Sequence, residues 1–246
     1  MRLVFVRSGV RWLGILLVFL TIVPLHVLVS LVWRRDAVPP IFLGLMGRVA
    51  GLRIRTEGVP RQGALFLANH ISWLDILALA KTSRAIFVAH SGLAVHGGLK
   101  WLCDQNDTVF ITRDRRGSVA GQVEQVRAAL SDRPLVIFPE GTTDDGTALL
   151  PFRSSLLSAV EPLAGQVPIQ PVALDYSDAA EISWFGDEPG MANVRRILSR
   201  PGRIELTIRF LEPLSGEALA NRKTMTAAAQ QAIAQALRLP LAAQIP

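Results

Sequence analysis

The chain has 246 residues, half of them hydrophobic, which is enough for one sizeable domain with or without an appendage. Its single cysteine, Cys103, excludes an intrachain disulfide framework and a site built on paired cysteine ligands. The formal net charge of +6 is uneven, since residues 1–61 hold nine basic and two acidic side chains and the rest hold 17 and 18. This basic excess flanks the most apolar stretch, which argues against nucleic acid and for an anionic membrane surface as the partner.

The first predicted element is a membrane anchor. From Trp12 to Trp33, 22 consecutive residues include no Asp, Glu, Lys or Arg, a length that can cross a bilayer. A tryptophan at each end is typical of the membrane interface. Pro24 lies near the middle and arginines lie on both sides, so two alternatives stay open: a spanning helix, or a re-entrant hairpin that breaks near Pro24.

After Gly51, short β-branched and apolar runs alternate with helical patterns. The predicted strands are residues 52–57, 64–68, 85–89, 108–112, 135–138, 169–174 and 204–211. The predicted helices are residues 73–82, 98–103, 118–130, 154–163, 191–197 and 216–237. Strands joined by helical crossovers indicate an α/β fold, a mostly parallel sheet covered by helices on both faces. We therefore predict an anchor over residues 1–51 and an α/β domain over residues 52–246.

A polar segment that could take part in catalysis follows the second predicted strand, residues 64–68. The sequence there is Asn-His-Ile-Ser-Trp-Leu-Asp, with His70 five residues before Asp75. A histidine can take a proton near neutral pH, and a neighbouring carboxylate fixes its tautomer. The alternative is structural, because Ser72 and Asp75 also have the spacing of a helix cap.

A second polar segment follows the predicted strand 135–138. It reads Pro-Glu-Gly-Thr-Thr and ends at Thr143. Functional sites of parallel sheets collect beyond the carboxyl ends of the strands. We therefore expect Glu140 to lie on the same edge of the sheet as His70.

Four sequence segments, taken in their order along the chain, resemble motifs of the glycerolipid acyltransferases of the 1-acylglycerol-3-phosphate acyltransferase superfamily. They are the N-H-x-x-x-x-D segment at 69–75, the segment T-V-F-I-T-R-D at 108–114, the F-P-E-G-T-T segment at 138–143 with P-F-R-S at 151–154, and V-P-I-Q-P-V at 167–172. The resemblance covers roughly residues 52–215. It implies a membrane-associated enzyme of phospholipid biosynthesis that transfers a fatty acyl group from a thioester to a lysolipid hydroxyl.

The resemblance also implies roles for single residues and partners. His70 would be the general base and Asp75 its partner, while the substrate-binding residues would be Arg113, Glu140, Gly141, Thr142 and Thr143. A structural bond to a neighbouring backbone is the alternative for Glu140. No metal and no tightly bound cofactor are expected, and the acyl donor would be acyl-CoA or acyl carrier protein. We expect a membrane location with the catalytic domain on the cytoplasmic face, which is the inner membrane in a bacterium.

One residue departs from the family pattern. Many enzymes that acylate lysophosphatidate have an arginine after F-P-E-G-T, where this chain has Thr143, followed by Asp144 and Asp145. The expected acceptor is 1-acylglycerol-3-phosphate, giving phosphatidic acid, and the alternative is a lyso-ornithine lipid of the bacterial type or another lysophospholipid. A lipid hydrolase and a non-enzymatic lipid-binding protein are the remaining hypotheses.

Overall fold

The computed structural model describes residues 2–32, 35–90, 92, 97–111, 119–130 and 132–242. Eight helices are described: α1 Arg2–Val32, α2 Pro39–Ala50, α3 Leu74–Ser83, α4 Gly97–Gln105, α5 Val119–Ala129, α6 Ala179–Ile182, α7 Gly190–Ser199 and α8 Arg222–Leu237. Seven strands are described: β1 Leu52–Glu57, β2 Leu65–Ala68, β3 Ile86–His90, β4 Val109–Ile111, β5 Leu135–Ile137, β6 Ile169–Tyr176 and β7 Ile204–Phe210. Each of the seven predicted strands is present, with bounds within one or two residues of the prediction.

The seven strands form one sheet in the order β1-β7-β6-β2-β5-β3-β4. Neighbours are parallel except β6 and β7, which run antiparallel. The predicted α/β fold with a mostly parallel sheet is therefore confirmed. The central strands β2 and β5 end side by side, so the two polar segments leave the sheet at the same edge.

Both faces of the sheet are covered, because the strands alternate their side chains between two cores. Phe66 of β2 faces a core that it shares with α3 and α7, and the neighbouring Leu65 and Leu67 face a second core that includes Met225 and Ile233 of α8. All five of these side chains are fully buried. This two-sided burial explains why the central strands read as continuous apolar runs.

The N-terminal helix lies against the α/β domain. Its less exposed residues recur every three or four positions along one face: Arg7, Arg11, Ile15, Val18, Ile22 and His26. The guanidinium of Arg11 donates hydrogen bonds to the carbonyl oxygens of Ile197, Leu198, Arg200 and Gly202 at the end of α7. Arg11 was expected to face lipid headgroups, and instead it caps α7.

Of the two alternatives for the anchor, the hairpin that breaks near Pro24 is not observed, because α1 continues as a single helix through that residue. Contacts on both sides of the proline hold the helix together: Phe19 packs edge-on against Phe42 of α2, and the imidazole of His26 hydrogen-bonds Gln105 of α4 at 3.0 Å. The turn comes later, before α2. One helix, Val6–Val32, is long and apolar enough to cross a membrane, so membrane association is indicated by length and composition.

Two other predicted helices are interrupted. Residues 154–163 form two short 3₁₀ turns, Ser154–Leu157 and Glu161–Leu163, since Pro162 has no N–H to continue an α-helix. The predicted helix 216–237 is divided at Asn221, whose side chain accepts hydrogen bonds from the N–H groups of Lys223 and Thr224. Asn221 therefore starts α8 with a capping box.

Candidate active site

The loops that follow β2 and β5 meet above the edge of the sheet. The main-chain N–H of His70 donates a hydrogen bond to Oε1 of Glu140 at 2.8 Å. The expected location of both segments at one edge of the sheet is confirmed. A site assembled in this way is fixed by two central strands, so its parts have little freedom to move apart.

Asp75 lies in the first turn of α3 and is fully buried. Its Oδ2 lies 2.8 Å from Nδ1 of His70 and also accepts hydrogen bonds from the N–H groups of Ile71 and Ser72. The two interpretations of Asp75, helix-start acceptor and histidine partner, therefore both hold. Because Nδ1 is the nitrogen that carries the proton toward the carboxylate, Nε2 is left as the basic nitrogen. The His70 side chain is 19% exposed, which leaves its ring within reach of a substrate.

Two further residues of the site were not identified from the sequence. The phenol of Tyr176, at the end of β6, donates a hydrogen bond to Oδ1 of Asp75 at 2.6 Å. Asn69 binds β6 through its amide, which donates to the carbonyl oxygen of Leu174 and accepts from the N–H of Leu174. The sequence feature that could have identified Tyr176 is its position two residues after the predicted strand 169–174. This strand lies beside β2, so its end is close to the loop that carries His70.

Glu140 is 3% exposed, and its carboxylate receives the N–H groups of His70 and Leu150. Burial raises its pKa to about 8, and the nearby carboxylates of Asp75 and Asp144 add to the rise. The structural alternative for Glu140 is therefore realised. Direct contact with a substrate stays a prediction.

A row of rings connects His70 with an apolar cavity. The imidazole stacks on Phe138 with ring centres 4.0 Å apart, and Phe138 stacks in turn on Phe87 at 6.4 Å. Phe87 lines a cavity of about 240 Å³ between α1, α2, α3 and α4. Its other walls include Val23, Phe42, Trp73, Leu102 and Cys103. Burial raises the pKa of the Cys103 thiol, which suits an apolar lining rather than a nucleophile.

The loop after Glu140 carries three of the predicted substrate-binding residues. Gly141 has a φ of 73°, a left-handed conformation that favours glycine. Thr142 is exposed, and the hydroxyl of Thr143 donates to the carbonyl oxygen of Trp184. Asp145 closes a turn by accepting from the N–H and hydroxyl of Thr147. Arg113, which is also a predicted substrate-binding residue, lies outside the described residues.

The geometry is that of a histidine hydrogen-bonded to a buried carboxylate on the edge of an α/β sheet, with two stacked rings between the histidine and an apolar cavity. No group of three or more potential metal ligands occurs among the residues that the structure describes. A family model described as Acyltransferase matches residues 52–175. The chain therefore belongs to the acyltransferase family, and together with its O-acyltransferase relatives this match identifies it as an O-acyltransferase.

Several curated relatives match more than half of the chain. A lyso-ornithine lipid O-acyltransferase of Brucella abortus is 33% identical over 78% of this chain and 78% of its own length. A lyso-ornithine lipid O-acyltransferase of Rhodobacter capsulatus is 32% identical over 92% of this chain and 88% of its own. A 1-acyl-sn-glycerol-3-phosphate acyltransferase of Neisseria gonorrhoeae is 34% identical over 54% of this chain and 53% of its own.

The fold also matches a solved structure. The crystal structure of a 1-acyl-sn-glycerophosphate acyltransferase from Thermotoga maritima aligns with a TM-score of 0.70, covering 95% of this chain and 94% of that protein. The two sequences are 15% identical. The likeness therefore supports the fold, including the N-terminal helices, and leaves the substrate to other evidence.

Proposed function

We propose that this enzyme transfers a fatty acyl group from a thioester to the free hydroxyl of a lyso-ornithine lipid. The observation that carries the proposal is the His70–Asp75 pair at the edge of the sheet. Nδ1 of His70 lies 2.8 Å from Oδ2 of Asp75, and stacked rings connect the imidazole to an apolar cavity. In this arrangement two stacked rings link the proposed proton acceptor to a space suited to a hydrocarbon chain.

In the proposed reaction, Nε2 of His70 removes the proton of the acceptor hydroxyl as its oxygen attacks the thioester carbonyl. The carbon–sulfur bond then breaks, and the imidazolium returns the proton to the departing thiolate. General-base catalysis of this kind contributes about 10² to 10⁴ in rate. Asp75 keeps the proton on Nδ1 and stabilises the imidazolium that forms. No G-x-S-x-G motif is present in the sequence, so direct attack by the acceptor is favoured over an acyl-enzyme.

The apolar cavity would hold the acyl chain of the donor. Phe87 and Phe138 provide a continuous apolar path from its wall to His70. Whether the chain arrives on coenzyme A or on acyl carrier protein depends on the carrier's polar part, which the cavity does not contact. Both donors belong to the proposal.

The choice of acceptor rests on the loop after Glu140 and on the relatives. Thr143 stands where an arginine would bind a phosphate, and its hydroxyl is occupied by the carbonyl oxygen of Trp184. The neighbouring Asp144 adds negative charge, which disfavours a phosphate and favours a headgroup with an ammonium. The relatives that match most of the chain include lyso-ornithine lipid O-acyltransferases. Thr142 and Gly141 would border this headgroup.

1-Acylglycerol-3-phosphate is the second candidate acceptor. The relative from Neisseria gonorrhoeae favours it, as does the proposed phosphate-binding role of Arg113. In this alternative, Arg113 would supply the positive charge that Thr143 lacks.

We place the enzyme on the cytoplasmic surface of a membrane, with α1 lying in the plane of the bilayer rather than crossing it. One face of α1 is docked on the domain from Arg11 to His26. The opposite face is apolar and exposed, with Leu13, Leu17 and Leu20 each more than half exposed. A helix that carries a folded domain along its length cannot cross the bilayer upright, but it can bury its outer face in one leaflet.

The deciding experiment is a product analysis. Purified enzyme is incubated with lyso-ornithine lipid, 1-acylglycerol-3-phosphate and lysophosphatidylcholine, each with acyl-CoA or acyl carrier protein, and the products are identified by mass. We expect ornithine lipid to form fastest, and His70→Ala to form none. Free fatty acid as the only product would instead identify a hydrolase, and lipid binding without turnover would identify a binding protein.

A further inference from the structure

The two carboxylate oxygens of Asp75 are used differently. Oδ2 serves the catalytic loop, because it receives His70 and the N–H groups of Ile71 and Ser72. Oδ1 points the other way and receives the phenol of Tyr176 at 2.6 Å. The orientation of the carboxylate plane is therefore fixed from both ends.

The phenol is a permanent donor in this contact. Tyr176 is 6% exposed, and burial, followed by the charge of Asp75, raises the pKa of the phenol well above its ordinary value. Tyr176 therefore keeps its proton throughout the pH range in which a histidine titrates. A short hydrogen bond from a neutral donor to a buried carboxylate stabilises the ionised form of that carboxylate.

The fold holds Tyr176 in place independently of Asp75. On one side, β6 pairs with β7, where Tyr176 lies opposite Leu206. On the other side, the backbone pairing with β2 ends at Ala68, and the amide of Asn69 then binds both main-chain groups of Leu174. Since strand residues alternate, Tyr176 shares with Leu174 the face of the sheet that α3 covers. The loop of residues 69–75 and Tyr176 therefore have a fixed position relative to each other.

From this geometry we propose that Tyr176 is a positioning residue of the acyl transfer, which acts on His70 through Asp75. Its hydroxyl holds the carboxylate turned so that Oδ2 faces Nδ1 of His70. The inference rests on the proposed function. The titratable groups around Asp75 are His70 from its own loop, Tyr176 from β6 and Glu140 from the loop after β5, with Asp144 beyond Glu140.

The test begins with Tyr176→Phe, which removes one oxygen and keeps the ring. We expect kcat to fall about ten-fold or more, since hydrogen bonds to charged groups are among the stronger ones, while KM for either substrate changes little. We also expect the acidic limb of the pH profile of kcat/KM to move to higher pH. Without the donor, the buried carboxylate of Asp75 loses a hydrogen bond that stabilises its negative charge, so in the variant it should bind a proton, and stop supporting His70, at a higher pH.

Thr226→Val is the matched control. Thr226 is also buried, at 4% exposed, and its hydroxyl bonds to the carbonyl oxygens of Arg222 and Lys223 on α8, in the layer on the other face of the sheet. Losing this hydroxyl should cost stability without moving the pH limb. A merely structural role for Tyr176 predicts that both variants behave alike, with lower melting temperatures and an unchanged pH profile, and that result would overturn the proposal.

A second measurement does not depend on turnover. Tyr176 is the single tyrosine of the chain, so growth with 3-fluorotyrosine labels this position alone. We expect the ¹⁹F resonance to titrate at the same pH as the acidic limb of the activity profile, and to lose that step in Asp75→Asn and in His70→Ala. A resonance without that step in the unmutated enzyme would overturn the proposal. Absence of acyl transfer in the unmutated enzyme, with the ¹⁹F step present, would refute the proposed function alone.

Discussion

The main-chain N–H of His70 and the carboxylate of Glu140 form one hydrogen bond, 2.8 Å long, which joins the ends of the two central strands. This bond makes the position of His70 depend on a buried acid. Since burial raises the pKa of Glu140 to about 8, the carboxyl is protonated in the folded protein at neutral pH, when it is ionised in the unfolded chain.

The first prediction concerns stability and pH. The folded state binds a proton at Glu140 that the unfolded state releases above its ordinary pKa of 4.5. The free energy of unfolding should therefore decrease as pH rises from about 5 to 8, by up to about 1.4 kcal/mol per pH unit from this group, and level off above. Glu140→Gln, an uncharged near-isostere, should reduce this slope. Denaturant unfolding in detergent at pH values from 5 to 9 measures how the free energy of unfolding depends on pH.

Glu124→Gln provides the comparison for that experiment, because Glu124 is exposed on α5. Glu124→Gln should show the same change of unfolding free energy with pH as the unmutated enzyme. An equal slope in all three proteins would show that Glu140 ionises in the folded state as it does in water.

The second prediction separates the two members of the catalytic pair. His70→Ala removes the base and should lower kcat to background. Asp75→Asn keeps the shape of the side chain but replaces an acceptor of four hydrogen bonds with an amide, so both activity and stability should decrease. Rates and melting temperatures measured together check this. A stable, fully active Asp75→Asn variant would contradict the assigned geometry.

The third prediction concerns the attachment of α1 to the domain. Arg11→Met keeps much of the apolar stem and removes the hydrogen bonds to the carbonyl oxygens at the end of α7. We expect a loss of about 1–3 kcal/mol in the free energy of unfolding. Gly51→Ala should act in the same way, since Gly51 has a φ of 97° and a Cβ there would lie 2.7 Å from Nη2 of Arg11. Arg53→Met, on an exposed position of β1, is the control and should change little.

The fourth prediction tests the membrane face of α1. Replacing Leu13, Leu17 and Leu20 with serine should reduce retention on anionic vesicles at least ten-fold, because each buried leucine contributes about 1.5–3 kcal/mol. The unfolding free energy of the protein in detergent should be nearly unchanged. Ile15→Ser, on the docked face, should give the reverse pattern. Retention of the triple variant at the original level in a flotation assay would rule out the in-plane arrangement.

The sequence predicts the strands and the shared edge of the two loops because these depend on local apolar runs and on a general rule of parallel sheets. The bounds of Leu52–Glu57 agree with the prediction to the residue. The direct contact of His70 with Glu140 depends in addition on β2 and β5 being neighbours, which the sequence does not predict.

The unpredicted features depend on distant contacts. Pro24 has the local signature of a break, but Phe42 and Gln105 hold the helix on either side of it. Arg11 looks like a residue for lipid headgroups until the end of α7 is placed beside it. Tyr176 lies 101 positions from Asp75, so no short motif can include both.

The docking of α1 along one side of the domain has a kinetic consequence. In the proposed in-plane arrangement, the active site is held at a fixed height above the lipid and meets its acceptor by diffusion within the leaflet. The controlling variable is then the mole fraction of lysolipid in the surface, and dilution with an inert lipid should slow the enzyme even at constant total substrate.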